Sequence, residues 1–172
     1  MSESIKKVAL DWVSKNEAVI IDVSNKIWEY AEVGLQEYKS SKLLADMLEK
    51  YGFKVERGVA DMPTALIATY GSGKPVIGIL GEYDAMPGLS QKAVPHKEPL
   101  KEGTPGHGCG HNIYGASGMG GAIAAKTAME ASGLKGTVKF FGTPAEETLV
   151  GKVFMVRDGC FKDVDAAIGH HI

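Results

Sequence analysis

Apolar positions between residues 3 and 31 recur at near-helical spacing: Ile5, Val8, Ala9, Trp12 and Val13, then Val19, Val23, Ile27 and Trp28. That period predicts helix across the segment. Leu43, Leu44, Met47 and Leu48 share one face of a second helix over residues 39–51, and Gly52 supplies its C-terminal stop. Beyond Gly52 the period shortens. Residues 53–59, 64–70 and 76–83 read as strands, separated by Pro63 and by Gly-Ser-Gly-Lys-Pro at 71–75. The run Val76-Ile77-Gly78-Ile79-Leu80 is apolar throughout, as in a central strand buried on both faces. Residues 84–110 are rich in Pro and Gly and lack periodicity, and so long a loop inside a domain is usually functional or disordered. A small-residue helix over 112–132, a strand over 136–143, a helix over 150–158 and a strand over 166–170 complete the pattern. The alternation predicts an α/β fold with a mostly parallel sheet and helices on both faces.

Composition narrows the function classes. The 172 residues, 44% apolar and 23% charged, fit one soluble domain. A net charge of −2 without any Lys/Arg run argues against a nucleic-acid partner. The amphipathic N-terminus carries charges throughout, so neither a signal peptide nor a membrane partner is expected. Cys109 and Cys160 are accordingly expected reduced, in a cytoplasmic setting. Glycine is over-represented at 22 residues, and many of these punctuate the ends of apolar runs, where tight turns are needed.

Candidate chemistry gathers in three patches: Gly-His-Gly-Cys-Gly-His-Asn (106–112), Thr-Pro-Ala-Glu-Glu (143–147) and Gly-His-His-Ile (169–172). Cys109 and His111 are one glycine apart, just before a helix, and Gly106, Gly108 and Gly110 let the backbone turn sharply enough to aim both at one point. A helix N-terminus favours a thiolate and disfavours an imidazolium, the states a metal needs. The alternative is a glycine-rich turn with a buried thiol and a satisfied histidine. Glu146 and Glu147 follow a strand and Pro144, and in extended chain they point opposite ways, so one can bind metal while the other holds a proton; a solvated turn is the alternative. By strand alternation only one of His170 and His171 faces a given site. His107 has no assigned role. Asp84, at the carboxyl end of the apolar strand, is placed to orient a metal ligand or to make an Asx turn into Pro87-Gly88. In a parallel sheet the ends of strands 76–83, 136–143 and 166–170 lie on one edge, so Asp84, Glu146, Glu147 and His171 can converge.

Taken in order, Gly-Glu-Tyr-Asp-Ala-Met-Pro-Gly (81–88), His-Gly-Cys-Gly-His-Asn (107–112), Pro-Ala-Glu-Glu (144–147) and the terminal His-His resemble the dinuclear metallopeptidases that include aminoacylases, zinc carboxypeptidases and amidohydrolases. The likeness runs most strongly to the B-type component of aminobenzoyl-glutamate hydrolase, and residues 151–167 share it. The resemblance implies two divalent metal ions, zinc or manganese, with Cys109, His111, Glu147 and His171 as ligands. It implies Glu146 as general base and Asp84 as support for the centre, with His170 outside it. A three-layer α/β/α fold of the phosphorylase/hydrolase-like kind follows, incomplete at the C-terminus. The same resemblance implies a smaller dimerisation and lid domain and a later histidine ligand beyond residue 172, so the chain is expected to be the N-terminal part of a catalytic domain whose full-length form is a homodimer.

The implied chemistry is hydrolysis of an amide bond in an N-acyl amino acid, a dipeptide or an aminobenzoyl-glutamate-like substrate, with Glu146 moving the proton. One rival reading is a non-catalytic metal-binding fragment that needs a partner or further chain. Another makes Cys109 a nucleophile paired with a histidine, which leaves Glu146, Glu147 and His171 without a task. A thiolate ligand leans towards zinc, and oxygen ligands suit manganese.

Overall fold

Burial on both faces draws the apolar run at 76–81 into the interior of a five-stranded sheet, as a computed structural model describing residues 2–171 shows. Ile172, the last residue of the third patch, lies outside the described residues. The strands are β1 (Lys54–Arg57), β2 (Leu66–Ser72), β3 (Val76–Gly81), β4 (Gly136–Gly142) and β5 (Ala166–Ile168). Their order is β1-β2-β4-β3-β5. β3 pairs in parallel with both β4 and β5, whereas β2 is antiparallel to β1 and to β4. Only β2 therefore opposes the common direction, and the expected mostly parallel mixed sheet holds.

Helices α1 (Ser2–Lys15), α2 (Glu17–Tyr30), α3 (Tyr38–Lys50) and α4 (His111–Ser132) belong to one side, and α5 (Gly151–Arg157) to the other. Alternation along β4 divides the core between them. Phe140 packs with Val23, Ile27, Leu44, Met119 and Ile123, while the adjacent Phe141 packs with Met62, Ile67 and Met155.

The single helical stretch expected over 3–31 is two helices. Asn16 leaves the helical well at φ −118°, ψ 15°, and there α1 stops and α2 starts; its backbone N–H still makes the last α1 bond to the Trp12 carbonyl at 3.0 Å, and its side-chain amide donates to the same oxygen at 2.8 Å. α3 ends as its sequence predicts. Gly52 takes φ +84°, its N–H donates to Glu49 O and that of Phe53 donates to Leu48 O, which satisfies the last carbonyls.

Segment 84–110 contains no helix or strand and is pinned at both ends. Ala85 forms an isolated bridge with Val33, and Met86 exchanges backbone hydrogen bonds with Gly106 at 3.0 and 3.1 Å. α4 then runs back along β3 at close range, with Gly115 and Gly118 set against the Glu82 and Leu80 carbonyls. That contact brings the first residue of α4, His111, over the carboxyl end of β3. Among the described residues no helix is long and apolar enough to cross a membrane.

Candidate metal centre

The parallel strands β4, β3 and β5 end on one edge of the sheet, and their following loops carry Glu146 and Glu147, Glu82 to Asp84, and His170 and His171. Gly110, at φ +74°, turns the chain so that α4 begins at His111 with Cys109 just outside it. The His111 ring is fully buried and sits at the centre.

Four carboxylates surround that ring. On the Nδ1 side, Asp84 Oδ1 lies at 2.9 Å and Glu147 Oε1 at 3.9 Å; on the Nε2 side, Glu82 Oε2 lies at 3.0 Å and Glu146 Oε2 at 3.7 Å. Asp84, also fully buried, accepts the Nδ1–H of His111, which leaves Nε2 facing the site. The second Asp84 oxygen accepts the backbone N–H of Glu147 at 2.9 Å and so joins the β3 and β4 loops. His171 Nε2 lies 3.4 Å from Cys109 Sγ and 3.4 Å from His111 Nε2. His170 instead stands edge-on to the Tyr114 ring.

Among the described residues, two donor groups close enough for a cation share His111. One is Cys109, His111 and His171, and the other is Glu82, His111 and Glu146. Glu147 belongs to neither, although its carboxylate faces Cys109 and its buried Oε1 has no hydrogen-bond partner. Glu82 Oε2, equally buried, has no hydrogen-bond partner either and lies 3.0 Å from His111 Nε2. Buried acceptor oxygens without donors, beside a thiol and two imidazoles, form a set that fits a divalent metal ion.

Electrostatics corrects the expected protonation states. Burial pulls the His111 pKa down, but Asp84 and Glu82 outweigh it and raise the value to about 10. Burial and the Glu147 charge push the Cys109 thiol up as well. Side-chain charges at close range thus override the partial charge of the helix N-terminus. Before a cation binds, a proton on His111 balances the carboxylates.

The structure also corrects the expected extended geometry at Glu146 and Glu147. Residues Glu146–Thr148 form one 3₁₀ turn between Ala145 and Leu149, both left-handed at φ +56° and +59°, so the two carboxylates flank opposite nitrogens of one ring. Gly151 is required behind this turn, since an added Cβ would lie 1.7 Å from the Pro144 oxygen. Gly151→Ala is expected to cost about 1–3 kcal/mol through overpacking, read by urea unfolding; parent-like stability would mean that the turn relaxes freely.

Sequence reasoning gives no role to Glu82 or Lys152. Burial alone would raise the Glu82 pKa, but His111 and the Lys152 ammonium together hold it below the usual carboxylate value. Glu82 sits two residues before Asp84, and that spacing is the available signal; the pairing with Lys152 arises only from the packing of α5. His107, the other histidine of its patch, donates its Nε2–H to the Ile27 carbonyl at 3.0 Å, and burial lowers its pKa.

The sequence profile of Peptidase family M20/M25/M40 matches residues 78–172. The chain is 48% identical over 151 residues to the B-type component of p-aminobenzoyl-glutamate hydrolase from Escherichia coli (strain K12), covering 87% of this chain and 31% of that protein. It is 33% identical over 164 residues to thermostable carboxypeptidase 1 of Saccharolobus solfataricus, covering 93% and 40%. The chain thus spans well under half the length of these relatives. The crystal structure of the Bacillus subtilis YXEP protein, a dinuclear metal-binding peptidase from the M20 family, superposes with a TM-score of 0.76 at 28% identity, over 92% of this chain and 43% of that one.

Proposed function

The chain belongs to Peptidase family M20/M25/M40, and from that premise we propose that it serves metal-dependent hydrolysis of an amide bond in an N-acyl amino acid, a dipeptide or an aminobenzoyl-glutamate-like substrate. One observation carries the reading: a buried imidazole ringed by four carboxylates, with a thiol and a second imidazole at 3.4 Å from one another and two buried carboxylate oxygens lacking donors. The names of the E. coli and S. solfataricus relatives support the substrate classes.

Cys109, His111, Glu147 and His171 would hold the metal, and the dinuclear character of the B. subtilis neighbour supports two ions. Zinc suits the thiolate and imidazoles, and manganese suits the carboxylates. When bound, a divalent ion supplies a Lewis acid for the scissile carbonyl and lowers the pKa of an attacking water towards ~7. Asp84 keeps the His111 proton on Nδ1 and fixes the ring. Glu146, whose side chain is about a third exposed, takes a proton from the attacking water on Oε2 and passes it to the leaving amine nitrogen. Lys152 neutralises Glu82 and so limits the negative charge beside that carboxylate. The E. coli relative is named as one component of its hydrolase, which supports a partner chain, and we keep a homodimer as the companion expectation.

The test is metal content after dialysis, measured for the parent and for Glu147→Ala. The parent is expected to retain metal and the variant to lose most of it. Amide hydrolysis by the parent should disappear with a chelator and return with added metal. A parent that retains no metal would overturn the reading, and chelator-insensitive hydrolysis would favour Cys109 as a nucleophile.

A further inference from the structure

Glu37 is the one carboxylate of the α2–α3 connection that is fully buried, and no part of the proposed chemistry uses it. Among the described residues no cationic side chain pairs with it. Both its oxygens are nevertheless occupied. Oε1 accepts the backbone N–H of Ala145 at 2.8 Å, and Oε2 accepts the hydroxyl of Thr64 at 2.8 Å. Thr64 is held in turn, because the fully buried Tyr83 donates its hydroxyl to the Thr64 carbonyl at 2.6 Å. Tyr83 stands between Glu82 and Asp84, and Ala145 immediately precedes Glu146.

Ala145 is also a residue whose backbone needs holding. Its left-handed backbone, unusual for alanine, starts the turn that presents Glu146 and Glu147. Gly34, from the same connection as Glu37, packs against the Ala145 Cα and Cβ. A buried carboxylate with no cation is costly unless hydrogen bonds satisfy it. Here one donor, the Ala145 N–H, comes from the segment that carries Glu146 and Glu147, and the other, the Thr64 hydroxyl, is tied to the Glu82–Asp84 segment through Tyr83.

We propose that Glu37 is a positioning residue, which clamps the Ala145 amide and, through Thr64 and Tyr83, locks the Glu146–Glu147 turn to the carboxyl end of β3. The inference rests on the metal-centre reading above and deepens it. Glu37 touches no reacting atom; it sets where the Glu147 carboxylate lies relative to Cys109 and His111.

The experiment compares the full chain with Glu37→Met, which keeps volume and removes both acceptors, and Glu37→Gln, which keeps one acceptor for the Ala145 amide. Co²⁺ is titrated at a temperature where each chain is folded, following the thiolate charge-transfer band of Cys109. In parallel, hydrogen exchange is followed over residues 145–149 in the metal-free chains. Glu37→Met is expected to weaken Co²⁺ binding about 10–100-fold, as loss of a supporting hydrogen bond does, and to speed exchange in the turn at least about ten-fold. Glu37→Gln should restore both to within about three-fold of the parent. Where Glu37→Met does not fold, Thr64→Val removes only the donor to Oε2 and should weaken Co²⁺ binding at least about three-fold.

A purely structural role would lower the unfolding temperature and leave the Co²⁺ affinity of the folded variants at the parent value, which would overturn the proposal. Unchanged exchange in the turn would overturn it too. A parent that binds no Co²⁺ would overturn the metal-centre reading itself, and this inference with it.

Discussion

Glu146→Gln is expected to lower amide hydrolysis by about 10²–10⁴-fold, the usual contribution of a general base, while metal content stays at the parent level. Glutamine keeps the shape and one acceptor oxygen but cannot take a proton. Glu146 approaches the Nε2 side of His111 at 3.7 Å and is the more exposed of the two neighbouring carboxylates. Glu147 presents the buried, donorless oxygen beside Cys109. The two roles are thus separable by experiment. Steady-state rates together with metal analysis of Glu146→Gln and Glu147→Ala decide them. Loss of metal from Glu146→Gln with retention in Glu147→Ala would exchange the assignments. Near-parent turnover of Glu146→Gln in a clean preparation would remove Glu146 from the chemistry.

His111→Ala should destabilise the metal-free chain by about 3–5 kcal/mol at pH 7, the cost of stranding the buried Asp84 charge without its partner while Glu82 keeps Lys152. Asp84 and Glu82 are almost wholly buried, and His111 is the cation both of them face. The pH dependence carries a definite sign. The folded pKa of about 10 lies above the unfolded value near 6.5, so the imidazolium's contribution is complete below about pH 6.5 and is lost as pH rises through about 10. Urea unfolding in the presence of chelator should therefore show a wide gap between parent and variant at pH 7 that narrows towards pH 10. The same linkage requires that a metal entering at His111 displace a proton. A gap that does not change with pH would mean that the ring is neutral in the folded chain.

Much of this site is written in residue order. The apolar run at 76–80 marks the central strand, and alternation of strands and helices marks a sheet whose chemistry gathers at one edge. Cys109, His111, Glu146, Glu147 and His171 are identifiable as candidates because each lies at an element boundary and carries a ligand or acid–base group. The break at Asn16 is not, because it lies in one residue's backbone angles within a segment whose apolar period continues. Glu82, Lys152 and Glu37 are not either. A lone Glu or Lys has no pattern of its own, and its meaning comes from a partner that only packing supplies.

Spacing of apolar side chains acts over a few residues, so the linear chain is enough to assign most strands and helices. It is also enough to list the ligand-type groups waiting at the strand ends. Which of those groups meet, and in what charge state, follows from long-range packing. Protonation at His111 and Cys109 depends on carboxylates brought in from the ends of β3 and β4, residues distant in the chain and 2.9 to 3.9 Å away from the ring in space. Local rules at a helix N-terminus predict the opposite states, because a half-charge of backbone dipole is weaker than side-chain charges in contact.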